Sequence, residues 1–486
     1  MKADLRFALS KPFFVGLLIS SAILRLFFLF IYLPNRPSEF GPDEGTYGAL
    51  ADYVANNFPV QEFPGYGPGL YNSARTLIVP SSILVRMGVS PHYSVRFISS
   101  FYALCALLIF VLCVIAIQKL NSKTGNLEDV DLSYTNKLIF ILYAFLPSYF
   151  LWSNLGLRES ASQLFLMATF YLCIKLINSR GFRRWIIIAS TPIVLMLAFG
   201  SRPETATLFS ICALIFSFVM GWKIRNYSIA IVIFVGFLLG QAFTTTPIVQ
   251  ASEVLVATKI TVTETKSPQP AQSTETKSPQ PQTNSELSKD CEFENQVLTE
   301  KNNRFVCTLT KQYAVIERNP IDKAKSQVLT TQILEYKRNV NRLEASSALP
   351  ESSCTFNFSG ILQKLSCNII ELPYRLSSFL FRPFPVIDSG SNFQNLAGLE
   401  NILWLFLISL GVLRVLRKWK IQENRLIISF LLTFLICFST AAALYEGNLG
   451  TAFRHKSTLL WSLLLILVLT KVSTIPRIKE LPAFHK

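Results

Sequence analysis

Charge is scarce in this chain of 486 residues: Asp, Glu, Lys and Arg make up only 16%. A water-soluble domain keeps about a quarter of its residues charged, so the deficit excludes a surface that faces water throughout. Histidine is rarer still, with three residues, and no CxxC pair occurs. A structural zinc centre is therefore excluded as an organising element. No removable signal peptide is evident. The first apolar run, 13–33, is too long for a signal core, and no small-residue cleavage site follows it, so it reads as a retained helix.

What replaces charge is apolar residue, 51% of the chain, gathered into runs that match a hydrocarbon core about 30 Å thick. Helix is the state such runs must take, because lipid offers no partner to an open backbone amide or carbonyl. About ten spans are expected, near 13–33, 95–118, 136–152, 160–177, 186–200, 205–221, 227–245, 397–414, 426–444 and 457–472. The fold class is thus all-α and polytopic, with one large loop outside the membrane. The net charge of +16 does not indicate nucleic acid, because the basic residues sit in short clusters between apolar runs. Lys2, Arg6 and Lys11, then Lys119 and Lys123, Arg180 to Arg184, Lys223 and Arg225, Arg414 to Lys420, and Lys471 to Lys479 fall in alternate connections. All can lie in the cytoplasm, which places both termini inside.

Three regions follow. Residues 1–245 form a transmembrane module with an outer loop at 34–94. Residues 246–396 form the large extracytoplasmic loop. Residues 397–486 carry the last helices and a cytoplasmic tail. Inside the large loop, TETKSPQP occurs at 263–270 and again at 274–281, and 263–284 reads as a flexible Pro/Thr/Gln-rich linker. Residues 285–395 are a small segment whose last part, 361–384, mixes apolar residues with Lys364, Glu371, Arg375 and Arg382. That part reads as a helix at the membrane interface. Cys291, Cys307, Cys354 and Cys367 all lie in this loop, so an oxidising compartment favours two disulfides. Three pairings are open; local pairing, 291 with 307 and 354 with 367, is the expected one, against four free thiols. The five other cysteines fall inside helices, where a thiol acts as a small apolar group.

Candidate chemistry gathers on the outer side. Gly41-Pro-Asp-Glu-Gly-Thr-Tyr47 places two adjacent carboxylates, Asp43 and Glu44, just beyond the first helix. Such a pair can hold a divalent cation such as Mg or Mn, or supply one base and one substrate-positioning group. The plainer reading is a helix start running through Tyr47, Leu50, Ala51 and Val54. The same side carries Arg96, Arg158-Glu159, Arg202-Pro203-Glu204, and Glu446 and Arg454 around Gly447-Asn-Leu-Gly450. Ionisable groups at membrane depth are costly, which makes each a functional candidate. Arg25, in the middle of the first run, is the main charge at a helix centre.

Asp43-Glu44 with Tyr47 and Ala51, the Gly67-Pro-Gly-Leu-Tyr71 segment, Arg96, Leu146-Pro147 ahead of Arg158-Glu159, and Arg202-Pro203-Glu204 resemble the GT-C class of integral membrane glycosyltransferases. The likeness is to the bacterial branch related to family 39 mannosyltransferases and aminoarabinose transferases, and it covers about residues 10–210. It implies an enzyme of the bacterial cytoplasmic membrane that moves a sugar from a polyprenyl-phosphate carrier to a glycan, lipid or protein acceptor on the outer face. In that reading Asp43 is the base or acceptor-orienting group and Glu44 binds substrate or metal. Tyr47, Arg96, Arg158, Glu159, Arg202, Glu204 and Arg454 contribute to substrate binding. A polymerase or ligase of lipid-linked glycans shares the same broad features, and a transporter is a more distant alternative.

Overall fold

The computed structural model describes residues 2–33, 42–60, 63, 67–121, 134–224, 227–244, 296–301, 304–309, 361–384, 392–418, 425–445 and 449–470. It divides into two compact units, Met1–Pro247 with Leu334–Lys486, and Ile248–Ile333. The second unit contributes one antiparallel hairpin, β1 (Gln296–Lys301) and β2 (Arg304–Leu309), with Gln296 opposite Leu309 and Lys301 opposite Arg304. Everything that follows concerns the first unit.

Its helices are α1 (Lys2–Ser10), α2 (Pro12–Phe27), α3 (Pro42–Ala55), α4 (Gly67–Arg86), α5 (Pro91–Asn121), α6 (Tyr134–Phe145), α7 (Pro147–Asn154) and α8 (Glu159–Asn178). They continue with α9 (Phe182–Phe199), α10 (Pro203–Ile224), α11 (Ser228–Thr244), α12 (Ile361–Phe381), α13 (Asn392–Lys418), α14 (Arg425–Tyr445), α15 (Leu449–Ser457) and α16 (Leu460–Leu469). Among the described residues seven helical stretches are long and apolar enough to cross a membrane, and two apolar helices, Pro203–Val219 and Ser228–Thr244, are shorter. The chain is a multi-pass helical membrane protein. In α2, Phe14, Leu17, Ser21 and Arg25 form one buried stripe, whereas Ile19, Ile23 and Phe27 lie open. Apolar side chains on the open face fit lipid, not water. By contrast α16 is buried along its whole length, which places it at the centre of the bundle.

Two expectations change. The outer loop 34–94 is largely helical, holding α3 and α4. Its sequence hid α4 because a Gly-Pro-Gly start and an internal Pro80 both read as breakers. The third expected span, 136–152, is two short helices, because Pro147 has no amide to continue α6 and instead starts α7. Cys105, Cys113, Cys173, Cys212 and Cys437 are free thiols in helices. Cys291 and Cys354, and the side chains of Cys307 and Cys367, lie outside the described residues, as do 263–284 and Glu446.

Close helix packing sets one testable limit. A Cβ built at Gly240 of α11 would lie 2.2 Å from Cδ2 of Phe199 in α9, a side chain that is itself fully buried. Gly240→Ala is expected to cost about 1–3 kcal/mol through overpacking. Thermal unfolding in detergent would show this as a lowered midpoint, relieved by Phe199→Leu.

Candidate active site

The site is assembled where helix ends meet on one side of the bundle. Proline opens α3 at Pro42, which leaves Asp43 and Glu44 in the first turn, where free amides favour negative charge. Successive residues of a helix point about 100° apart, and the two carboxylates go separate ways. Glu44 is fully buried and ion-paired with Arg96 of α5, whose guanidinium is also buried. This pair pins α3 to α5. Asp43 keeps 46% of its side chain exposed and accepts a bond from Arg454 Nη1 at 2.5 Å.

A kink in α4 supplies the second wall. At Ala74 the backbone leaves helical values (φ −134°, ψ 15°), which frees main-chain groups on either side. The Thr76 amide donates instead to Gly200 O at 3.1 Å, and Ser73 O accepts from Arg158 Nη1 at 3.1 Å. The turn before α8 is pressed onto α5. Gly156 has φ +67°, and a Cβ there would lie 2.8 Å from the Val95 side chain. Ser99 then donates to Leu157 O at 2.8 Å, and Ser100 to Asn154 Oδ1 at 2.8 Å. Arg158 and Glu159 are thereby fixed at the start of α8.

Glu159 is the hub. It is 1% exposed, with Arg202 Nη2 at 2.6 Å and Arg454 Nε at 2.9 Å from the same oxygen. Arg454, from α15, thus bridges Asp43 and Glu159. Arg158 differs from Arg202 and Arg454 in making no ion pair among the described residues; its buried Nε, like theirs, has no hydrogen-bond partner. Glu204, in the first turn of α10, is exposed. Tyr47, one turn beyond Asp43, is 2% exposed.

Electrostatics set the protonation states. Burial alone would raise the Asp43 pKa, but the charge and hydrogen bond of Arg454, with the charge of Arg158, outweigh it and leave the carboxyl below its ordinary 3.8. Burial pushes the Tyr47 hydroxyl upward, so it stays neutral at physiological pH. Burial also works against charge on Arg158, yet Tyr47, Glu204 and Glu159 raise its pKa further, so it remains a cation.

Compared with family models, curated proteins and solved structures, the chain matches none.

Asp43, Glu159, Arg202 and Arg454 therefore form one connected cluster, and the charge of Arg158 acts on it. Glu44 and Arg96 form a separate buried pair. A cation held by Asp43 and Glu44 together would require breaking that pair. Among the described residues no three His, Cys, Asp or Glu side chains gather to hold a metal ion.

Two residues behind the cluster escaped sequence reasoning. Lys456 lies two positions from Arg454, is 1% exposed, and donates to Arg382 O at 2.9 Å, Leu380 O at 3.2 Å and Asn401 Oδ1 at 2.6 Å. Glu400 of α13 accepts from the Ser148 amide at 2.6 Å and hydroxyl at 2.5 Å, which caps the start of α7. Glu400 is a charge inside the expected span 397–414, and Lys456 borders the expected span 457–472. That placement was the available signal. Arg25 is satisfied by Ser153 Oγ at 2.6 Å and lies over the Phe150 ring at 4.9 Å, holding α2 to α7.

Proposed function

We propose that this chain is a membrane glycosyltransferase that moves a sugar from a polyprenyl-phosphate carrier to an acceptor hydroxyl on the outer face of the bacterial cytoplasmic membrane. One observation carries the reading. A half-exposed, ionised carboxylate, Asp43, stands beside a cluster in which the Arg158 cation makes no ion pair among the described residues, at the shared ends of apolar helices. An unmatched arginine at that level suits a lipid phosphate, which needs charge-assisted donors close to the membrane surface.

The chemistry follows from those charges. The acceptor oxygen attacks the anomeric carbon, and the bond from that carbon to the carrier phosphate breaks. The phosphate leaves with the bonding electrons, so positive charge around it lowers the barrier, and Arg158 is the group placed to supply it. Asp43 takes the acceptor proton. Its pairing with Arg454 makes it a weak base, so it removes that proton late, once attack has made the hydroxyl acidic. Displacement from the opposite face inverts the anomeric centre. Arg202 is committed to Glu159, so Arg202→Ala is expected to act by disordering Glu159 and Arg454 as well as by lost phosphate contact.

Purified protein in nanodiscs, given a polyprenyl-phosphate sugar and acceptor, tests this reading. Arg158→Gln should raise KM for the lipid donor by at least about tenfold, the loss of one charge-assisted contact. An unchanged donor KM would remove Arg158 from the phosphate site. Orientation has its own test. Reporters at both termini should be cytoplasmic, and one near residue 275 external. An external terminus would place the carboxylate cluster on the wrong side for this reaction.

A further inference from the structure

Helix α12 has its polarity inside out. Among its described side chains the exposed ones are Ser366, Ile369, Ile370, Pro373, Tyr374 and Ser377, spaced three and four apart along a single face. Ile369 is 59% exposed, Ile370 78% and Tyr374 57%. The opposite face holds an ion pair: Arg375 is 6% exposed and donates to Glu371 at 2.5 Å, and Phe379 on the same side is fully buried. A helix washed by water would show the ion pair and hide the isoleucines. Over its described side chains this one does the reverse.

The outward face continues into a surface that lipid must cover. Phe384, just beyond α12, is 41% exposed, followed by Leu396 at 50% and Leu399 at 61% on α13. Residues 395–417 of α13 are one of the seven stretches long and apolar enough to span a membrane. Its open leucines therefore face hydrocarbon, and α12 packs against this same helix.

At its other end α12 is tied to the candidate site. The last carbonyls of a helix lack internal partners. Here Leu380 O, in the last turn, and Arg382 O, just past it, receive the Lys456 ammonium, which also holds Asn401 of α13. Lys456 shares the short helix α15 with Arg454, the residue that bridges Asp43 and Glu159.

We propose that α12 is a bilayer-docked strap: its Ile369, Ile370 and Tyr374 face enters outer-leaflet lipid, and its C-terminal carbonyls, through Lys456, set the position of Arg454. The consequence for sugar transfer rests on the function proposed above, whereas docking and coupling are each measurable without any assay of transfer.

Docking is read by placing the photoreactive residue p-benzoylphenylalanine at position 370 in the full chain, in phospholipid nanodiscs, with position 399 as the lipid-facing reference. Irradiation should give a phospholipid adduct on the peptide containing residue 370, as on that containing 399. Cross-links solely within the chain or to a second copy, or no lipid adduct at 370 while 399 gives one, would overturn the proposal. Coupling is read by alkylation of Ser457→Cys with a water-soluble maleimide, quantified on the peptide that contains it. Ser457 is fully buried and donates to Arg454 O at 2.7 Å. Adding Ile370→Asp should speed labelling several-fold, and the uncharged Ile370→Ser should do so less. Equal labelling rates in all three proteins, each shown to be inserted and folded, would break the link between α12 and Arg454.

Discussion

Glu159→Gln is expected to be the most damaging single substitution in the bundle, lowering stability by about 3–5 kcal/mol, the usual penalty for removing one partner of a buried ion pair. The carboxylate serves two arginines from one oxygen, Arg202 at 2.6 Å and Arg454 at 2.9 Å, and is 1% exposed. Glutamine keeps the shape but leaves Arg202 without its counter-charge and Arg454 with Asp43 alone, while Arg158 adjoins the substituted position in sequence. Part of the cost should return in the double variant Glu159→Gln, Arg202→Gln, which removes the stranded cation. A non-additive cycle of this kind is the signature of coupled neighbours. Glu204→Gln is the comparison: its side chain is exposed, where a change of charge usually costs about 0–1 kcal/mol. Thermal unfolding in detergent measures these variants beside Arg202→Gln and the parent. Equal losses for Glu159→Gln and Glu204→Gln would show that Glu159 is not the hub.

Sequence reasoning reached the parts of this site more readily than their pairing. Charges next to the membrane stand out because each is costly there, so Asp43, Glu159, Arg202 and Arg454 were all visible. The bond between Asp43 and Arg454 was not, because it joins residues separated by 411 positions and no local pattern encodes such a contact. The helix start at Asp43 was legible, since Tyr47, Leu50 and Ala51 recur at helical spacing and are all buried. The divergence of Asp43 and Glu44 followed from helix geometry alone, but the commitment of Glu44 to Arg96 needed the packing of α3 on α5. Breakers misled in one place and were missed in another: Pro80 sits inside α4, whereas Pro147 does end α6. The difference is tertiary, because neighbouring helices can satisfy the groups that a proline frees. Glu400 was passed over because it falls inside the expected span 397–414, and Lys456 because it sits in the polar stretch just ahead of the span 457–472. Their partners, three oxygens around Lys456 and the start of α7 at Glu400, appear only when distant helices meet.

Asp43→Asn should abolish most transfer while leaving the fold intact, a separation that Glu159 cannot provide. Asp43 is half-exposed, so loss of its bond to Arg454 is screened by water and costs little stability. Arg454 retains Glu159 and remains in place. Asparagine preserves the shape and can still accept a hydrogen bond, but it cannot take a proton from an acceptor hydroxyl. Loss of a general base costs about a hundredfold to ten-thousandfold in rate, and the decrease should appear in kcat, with donor KM nearly unchanged because Arg158 is untouched. The pH dependence gives a second readout. The Asp43 carboxyl lies below its ordinary 3.8 when folded, so its contribution is complete above that value and declines only as pH falls through the lower folded one. Transfer should therefore show no acid limb from Asp43 between about pH 5 and 8, a window set by the depressed carboxyl. Polyprenyl-phosphate-dependent transfer in nanodiscs, measured beside thermal unfolding of the same samples, provides both results. A folded Asp43→Asn protein that turns over at the parent rate would remove Asp43 from proton transfer and bring forward a polymerase or ligase of lipid-linked glycans that uses the arginines alone.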